Sequence, residues 1–165
     1  MPSGAHAVPG NSMIKAVFDA NVLVSAFLSR DNPRGVSNEL LRFAVAGAIE
    51  LYLSIEIVDE AIGILLSSMR AQRRYRYSLS DAGQYRASLM MLATIVDDPS
   101  PTPGAVPRDP DDDKVVACAV AAAAQHIVTR DDHLLSLRGY AGIAITTPEQ
   151  FIHRVRGEFG RLPEP

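Results

Sequence analysis

Cysteine is nearly absent from this chain. A single residue, Cys118, among 165 excludes an internal disulfide. Its place in the apolar run from Val115 to Ala124 marks a small buried thiol, in keeping with a reducing compartment. Also missing is any window near the ~18 consecutive apolar residues of a membrane span, and the first dozen residues have neither the basic start nor the apolar centre of a secretory signal. A soluble, cytoplasmic protein with no membrane partner is therefore expected. There is no basic surplus either: 16 Lys and Arg stand against 19 Asp and Glu, a formal net charge of −3. Phosphate affinity normally comes with a basic surface, so this balance does not advertise a nucleic-acid binder. Acids gathered around divalent cations would turn a neutral or positive face to a phosphate, however, so the distribution of charge matters more than its sum. The donor set argues against a zinc site as well, because His126, His133 and His153 do not combine with the lone cysteine into a suitable one.

What is present reads as one domain. Residues 1–12, with Pro2, Gly4, Pro9, Gly10 and Asn11, carry no periodic pattern and are expected to form a disordered leader; the domain spans 13–156, and a polar tail over 157–165 is expected to fray. Short apolar runs at Ile14 to Phe18, Ile49 to Leu53, Ile127 to Thr129 and Ile143 to Thr146 predict four strands. Between them, helical spacing predicts helices over Val22 to Leu28, Val36 to Ala46 with Gly47 as a stop, Ile55 to about Met69 capped by Ser54, and Ser78 to about Val96. Ile57, Ala61, Ile64 and Leu65 form the expected buried stripe of the third helix. Pro99, Pro101, Pro103 and Pro107 forbid regular structure from Asp98 to Arg108 and send the chain across the surface. Asp109 and Pro110 then open an alanine-rich helix to Ala124, and Thr147 and Pro148 open a last one. Strands alternating with helices, over connections long enough for crossovers, predict an α/β fold with a mainly parallel sheet of about four strands covered on both faces.

In open parallel sheets ligands bind beyond the carboxyl ends of the strands. Asp19 directly ends the first strand, Asp131 lies two residues past the third, and Asp113 belongs to the first turn of the helix that feeds it. Glu60 comes from the helix after the second strand. Helical register places Glu60 with Ile57 and Ile64, and Asp113 with Val116 and Ala117, so both are expected on the buried side. Unpaired acids there are costly, and two charges at about 4 Å repel by ~4 kcal/mol at an effective dielectric of 20. Converging carboxylates therefore call for a hard divalent cation, and a pair of such ions can activate a water and stabilise the leaving oxygen of a phosphodiester.

The runs Val17 to Ala26, Leu53 to Glu60, Arg108 to Lys114 and Val128 to Leu135 together resemble PIN-domain proteins, leaning toward the VapC-like toxins of toxin-antitoxin pairs. The resemblance covers about Met13 to Arg154, and its strength lies in four motifs in order, each weak alone. It implies a three-layer α/β/α fold and an endoribonuclease that uses Mg2+ or Mn2+. By position it implies Asp19, Glu60, Asp113 and Asp131 as catalytic metal ligands, with Asn21, Ser25, Thr129 and Asp111 in supporting places. The Asp111-Asp112-Asp113 run leaves the third acid open, and Asp113 is preferred because its spacing to Ala117 matches the family pattern. Ala20 departs from that pattern, where threonine is expected. An RNA substrate, a cognate antitoxin protein and a homodimer are further implications.

The stretch Arg70, Arg73, Arg74, Tyr75, Arg76 and Tyr77 mixes guanidinium groups with rings, as RNA backbone contacts and base stacking require, though a solvated surface reads equally well. The aspartates at 111–113 and at 131–132 also suit helix N-termini. Among other function classes, a haloacid-dehalogenase-type phosphatase needs a second aspartate where Asn21 stands, and a receiver domain needs its acidic pair in a different order. A catalytically inactive scaffold that binds protein or RNA is the alternative to the enzyme.

Overall fold

The computed structural model describes residues 12–102, 104–106 and 113–163. Of the expected leader only Ser12 falls within this range. The Asp109-Pro110 helix opening and Asp111 lie outside the described residues.

Six strands, β1 (Ile14–Phe18), β2 (Ile49–Leu53), β3 (Thr94–Ile95), β4 (His126–Val128), β5 (Gly139–Tyr140) and β6 (Ile143–Thr146), form one sheet in the order β3-β2-β1-β4-β6-β5. All pairings are parallel except that of β5 with β6. The fold class is thus the α/β one expected, with six strands instead of four. The two extra strands are two-residue pieces at the sheet edges, too short to leave any periodicity. Toward their carboxyl ends the central strands β1 and β4 are apolar because both faces are covered: Ala16, Val17, Phe18, Ile127 and Val128 are all fully buried. β4 starts one residue earlier than expected, at His126, and leaves Thr129 just past its end.

Helices α1 (Ala20–Leu28), α2 (Val36–Val45), α3 (Ile55–Ser67), α4 (Met69–Tyr75), α5 (Leu79–Leu92), α6 (Asp113–Ala121), α7 (Asp132–Leu135) and α8 (Pro148–Phe159) flank the sheet. Local chemistry sets their ends. The Ser54 hydroxyl accepts from the Ile57 N–H at 3.3 Å to start α3, and reciprocal capping boxes start α5 (Ser78 and Asp81) and α8 (Thr147 and Gln150). After α2 the chain turns through Gly47 at φ 84°, which lets the Ala48 N–H reach the Phe43 carbonyl at 3.0 Å.

Four expectations need correction here. The helix from Ile55 does not continue to Met69: Ser68 breaks it at ψ 88° and caps α4 by accepting from the Ala71 N–H. Likewise α5 stops at Leu92, so that Thr94 and Ile95 can pair with β2. The proline-rich connection does not stay on the surface, since Ala105 and Val106 reach the core. At the other end of the chain, α8 runs through Gly157 to Phe159, past the point where fraying was expected.

The strand order positions the site. From β1 the chain steps outward to β2 and β3, then returns to lay β4 along the opposite side of β1. The order reverses between β1 and β4, and the crevice beyond their carboxyl ends is where a parallel sheet offers a ligand site.

Candidate active site

Asp19 stands at that crevice. Its N–H donates to the Val128 carbonyl at 2.9 Å, which extends the β1–β4 ladder by one bond, and its side chain then caps α1. Oδ1 accepts from the Ala20 N–H at 2.7 Å, while Oδ2 accepts from the Thr129 hydroxyl at 2.7 Å and from Asn21 Nδ2 at 3.3 Å. Only 4% of the residue is exposed. Burial pushes the Asp19 carboxyl above its ordinary value; the bonds from Thr129 and Ala20 pull it back, and the charges of Glu60 and Asp131 push it up again. All three donors are neutral, so hydrogen bonding fixes the carboxylate without balancing its charge.

Thr129 and Asn21 hold this arrangement together. The buried Thr129 hydroxyl donates to Asp19 and accepts from the Asp131 N–H at 3.0 Å, linking the first acid to the loop after β4. Asn21 donates to Asp19 and takes the Arg130 N–H on its Oδ1 at 3.3 Å, a second bridge from α1 to the same loop. Asp131 is half-buried and caps α7, its Oδ1 accepting from the His133 N–H at 2.7 Å. The Arg130 guanidinium does not face the acids; it pairs with both carboxylate oxygens of Glu149.

Glu60 is placed otherwise than its helical register implied, whereas Asp113 faces partly inward as expected. The buried stripe of α3 is Ile57, Val58, Ala61, Ile62 and Leu65, which leaves Glu60 and Ile64 outside it. Ile64 is 42% exposed. Glu60 remains close enough for its charge to act on Asp19, yet its Oε2 lies 2.9 Å from Lys114 Nζ. Sequence reasoning missed Lys114, for which only its position directly after the aspartate run gave a signal. Asp113 is half-buried, and its Oδ1 accepts from the Val106 N–H at 2.9 Å, tying the proline-rich connection to α6. Neighbouring Asp59 is exposed and accepts from Arg86 Nη2 at 3.1 Å.

Ser25 lies on α1 one turn beyond Asn21, and both line a groove that Ile64 and Tyr75 close on the opposite side. Sequence reading gave no hint of this groove, which arises where α1, α3 and α4 meet. The arginines at 70, 73, 74 and 76 are all exposed, and the Arg74 guanidinium lies 5.6 Å from the centre of the Tyr75 ring. Tyr77 is not available for stacking. It is buried edge-on against Phe27, and its hydroxyl donates to the Leu65 carbonyl at 2.7 Å.

The donors at the carboxyl end of the sheet are carboxylate, hydroxyl and amide oxygens, a set whose chemistry suits a hard divalent cation. Its grouping is incomplete, for among the described residues no three acids stand close enough to share an ion. The chemistry fits, then, at Asp19 and Asp131, while Glu60 is engaged by Lys114.

A family model described as PIN domain matches residues 15–133. Among solved structures, the crystal structure of PAE2754 from Pyrobaculum aerophilum aligns with a TM-score of 0.57 at 16% identity, covering 94% of this chain and 99% of that one. At that identity the likeness speaks for the fold. A search of curated proteins found no match.

Proposed function

The chain belongs to the PIN-domain family, whose members are generally nucleases that use divalent metals, and on that premise we propose that it is an endoribonuclease dependent on Mg2+ or Mn2+. The state of Asp19 carries this reading: a buried carboxylate with only neutral donors, pressed by two like charges, is relieved by a cation. Asp19 and Asp131 would hold the ion, with Glu60 joining once it leaves Lys114 and with Asp113 or Asp111 from the aspartate run. A divalent ion there supplies an activated water and charge stabilisation at the leaving oxygen of a phosphodiester. The chain's own work is orientation. Thr129 and Asn21 lock the Asp19 carboxylate and draw the Asp131 loop against β1, so the acids are set before substrate arrives.

Two contacts favour the inactive scaffold instead: Glu60 is paired with Lys114, and Asp113 is engaged by Val106. Incubation of total RNA with pure protein, with and without Mn2+ or Mg2+ and with Asp19→Asn alongside, separates the two. Metal-dependent cleavage lost in the variant supports the enzyme; no cleavage, or full cleavage in excess chelator, rejects it.

The toxin role rests on the resemblance to VapC-like proteins, as do the cognate antitoxin, the homodimer and the cytoplasmic location. Growth arrest on induction of the wild type, absent with Asp19→Asn, is the outcome expected of a toxin. Among the described residues no helix is long and apolar enough to cross a membrane.

A further inference from the structure

Beside the Asp19 centre runs an open groove of about 600 Å3, within the ~300–1,000 Å3 typical of small-molecule sites. One wall is α1 and the turn after it, with Asn21, Ser25 and Leu28 spaced along one helical face and Asn32 beyond. Ile64 of α3 and Tyr75 of α4 form the other wall. Both large side chains are partly exposed, at 42% and 38%, and so are accessible from the groove. Asn21 belongs to the groove and to the bracket around Asp19, so the two are continuous.

We propose that this groove is a base-binding subsite, in which one nucleobase of the RNA strand, next to the phosphate at Asp19, stacks on the Tyr75 ring. The inference rests on the nuclease reading and adds to it a residue that sets where the strand is cut. Three features favour a nucleotide over an apolar peptide as occupant. The wall of α1 and the turn after it offers the hydroxyl of Ser25 and the amide of Asn32, groups that match the edge of a base, while the Ser29 hydroxyl donates to the Ser25 carbonyl. Tyr75 offers a ring face that can hold a base by stacking while these polar groups read its edge, so that together they select the position. Finally, four of the 16 basic residues fall at positions 70–76, and the Arg74 guanidinium lies over the same ring, so positive charge gathers at this rim of a chain with net charge −3. Leu28 and Ile64, one from each wall, add apolar contacts for the base.

A short single-stranded RNA carrying a fluorescent aminopurine base at successive positions, mixed with the Asp19→Asn protein in Mn2+, reports stacking without cleavage. The expected result is quenching at one position next to the cut site. Tyr75→Ala, added to Asp19→Asn, should abolish the quenching and weaken binding roughly tenfold, while Tyr75→Phe keeps both. In the otherwise wild-type enzyme, Tyr75→Ala should raise KM and spread the cut sites, with kcat nearly unchanged. Tyr75 is exposed, so neither substitution disturbs the core, and matching thermal melts establish that. Wild-type cleavage together with unchanged quenching and cut sites in Tyr75→Ala overturns the subsite and leaves the nuclease standing, with the groove open to a peptide. Absence of both cleavage and RNA binding by the wild type overturns the nuclease reading and the subsite with it.

Discussion

The two ends of the central β1–β4 pair each bury one titratable side chain, and they treat it differently. At the carboxyl end Asp19, 4% exposed, is surrounded by three placed donors and two like charges. At the amino end His126, 5% exposed, packs its ring 5.0 Å from that of Phe151, and its Nδ1 has no hydrogen-bond partner among the described residues. Burial drives both toward their neutral forms: Asp19 upward, and His126 down to about 4, with the Arg154 charge adding to the effect. Perturbed acidity alone therefore does not mark a functional group. What distinguishes Asp19 is that neighbouring elements spend side chains on orienting it, whereas His126 is merely accommodated.

The sharpest break between the two is catalytic. Asp19→Asn keeps the shape of the side chain and should lower RNA cleavage by roughly a hundred- to a thousandfold, the scale of losing one placed electrostatic group. Any substitution at His126 that folds should leave the cleavage rate near wild type. Metal-free Asp19→Asn removes a buried charge already disfavoured by its surroundings but also one of the two acceptor oxygens that Ala20, Thr129 and Asn21 use, so the opposing effects should leave its melting temperature near that of the wild type. A clearly less stable variant that still cuts RNA at the wild-type rate would overturn the site.

Acid titration of the metal-free protein should separate the ends by sign. His126 takes up its proton in the unfolded chain near pH 6.5 but in the folded one only near 4. Its contribution to stability is complete above pH 6.5 and is lost as pH falls toward 4, by at most about 3 kcal/mol. Asp19 works the other way. Its folded value lies above the unfolded one, so the folded chain binds the proton first and stability gains as pH falls through that value. His126→Phe should flatten the loss of stability between pH 6.5 and 4, and Asp19→Asn should steepen it. Equal slopes in all three proteins, from urea titrations at several pH values, would show that neither burial persists in solution.

Thr129 tests whether orientation is the point. Thr129→Val conserves shape but leaves Asp19 Oδ2 and the Asp131 N–H each one partner short, which should cost about 1–3 kcal/mol. With that hydrogen bond gone the Asp19 carboxyl should rise further, so the acidic limb of the cleavage profile moves to higher pH. Thr129→Ser should restore both. If the valine variant shows the wild-type pH profile, the hydroxyl is structural only.

Much of this was legible because parallel strands buried on both faces are continuous apolar words. Ile14 to Phe18 could be read as a strand, and an acid in the next position could be read as a site, since the sheet's geometry gives that position its meaning. Edge strands of two residues, such as Thr94–Ile95, have no such signature. Helical periodicity proved a weaker guide, because it fixes which residues share a face and not where burial stops: Ile57 and Ile64 share a face, yet only Ile57 is covered. For the same reason Tyr75 and Tyr77 looked equivalent in the sequence. The left-handed turn at Arg76, φ 51°, lies between them and turns one ring to the groove and the other into the core.

The smallest expected effect concerns Glu60, whose partnership with Lys114 is the main obstacle to a complete ion site. Both side chains are partly exposed, at 41% and 23%, so the pair adds under about 1 kcal/mol to stability. Lys114→Met keeps the length and packing of the stem while removing the charge. Its metal-free melting point should barely move. If Glu60 is a metal ligand held off by the lysine, release of its carboxylate strengthens Mn2+ binding, and binding to the folded state alone converts that into a larger rise in melting temperature at a given Mn2+ concentration. The double variant Lys114→Met with Glu60→Gln should lose the added rise and fall below the wild type. A Lys114→Met protein whose melt responds to Mn2+ as the wild type does would place Glu60 outside the ion site. The acids at the carboxyl end would then reduce to Asp19, Asp131 and a donor from the aspartate run, and the comparison with His126 would rest on those alone.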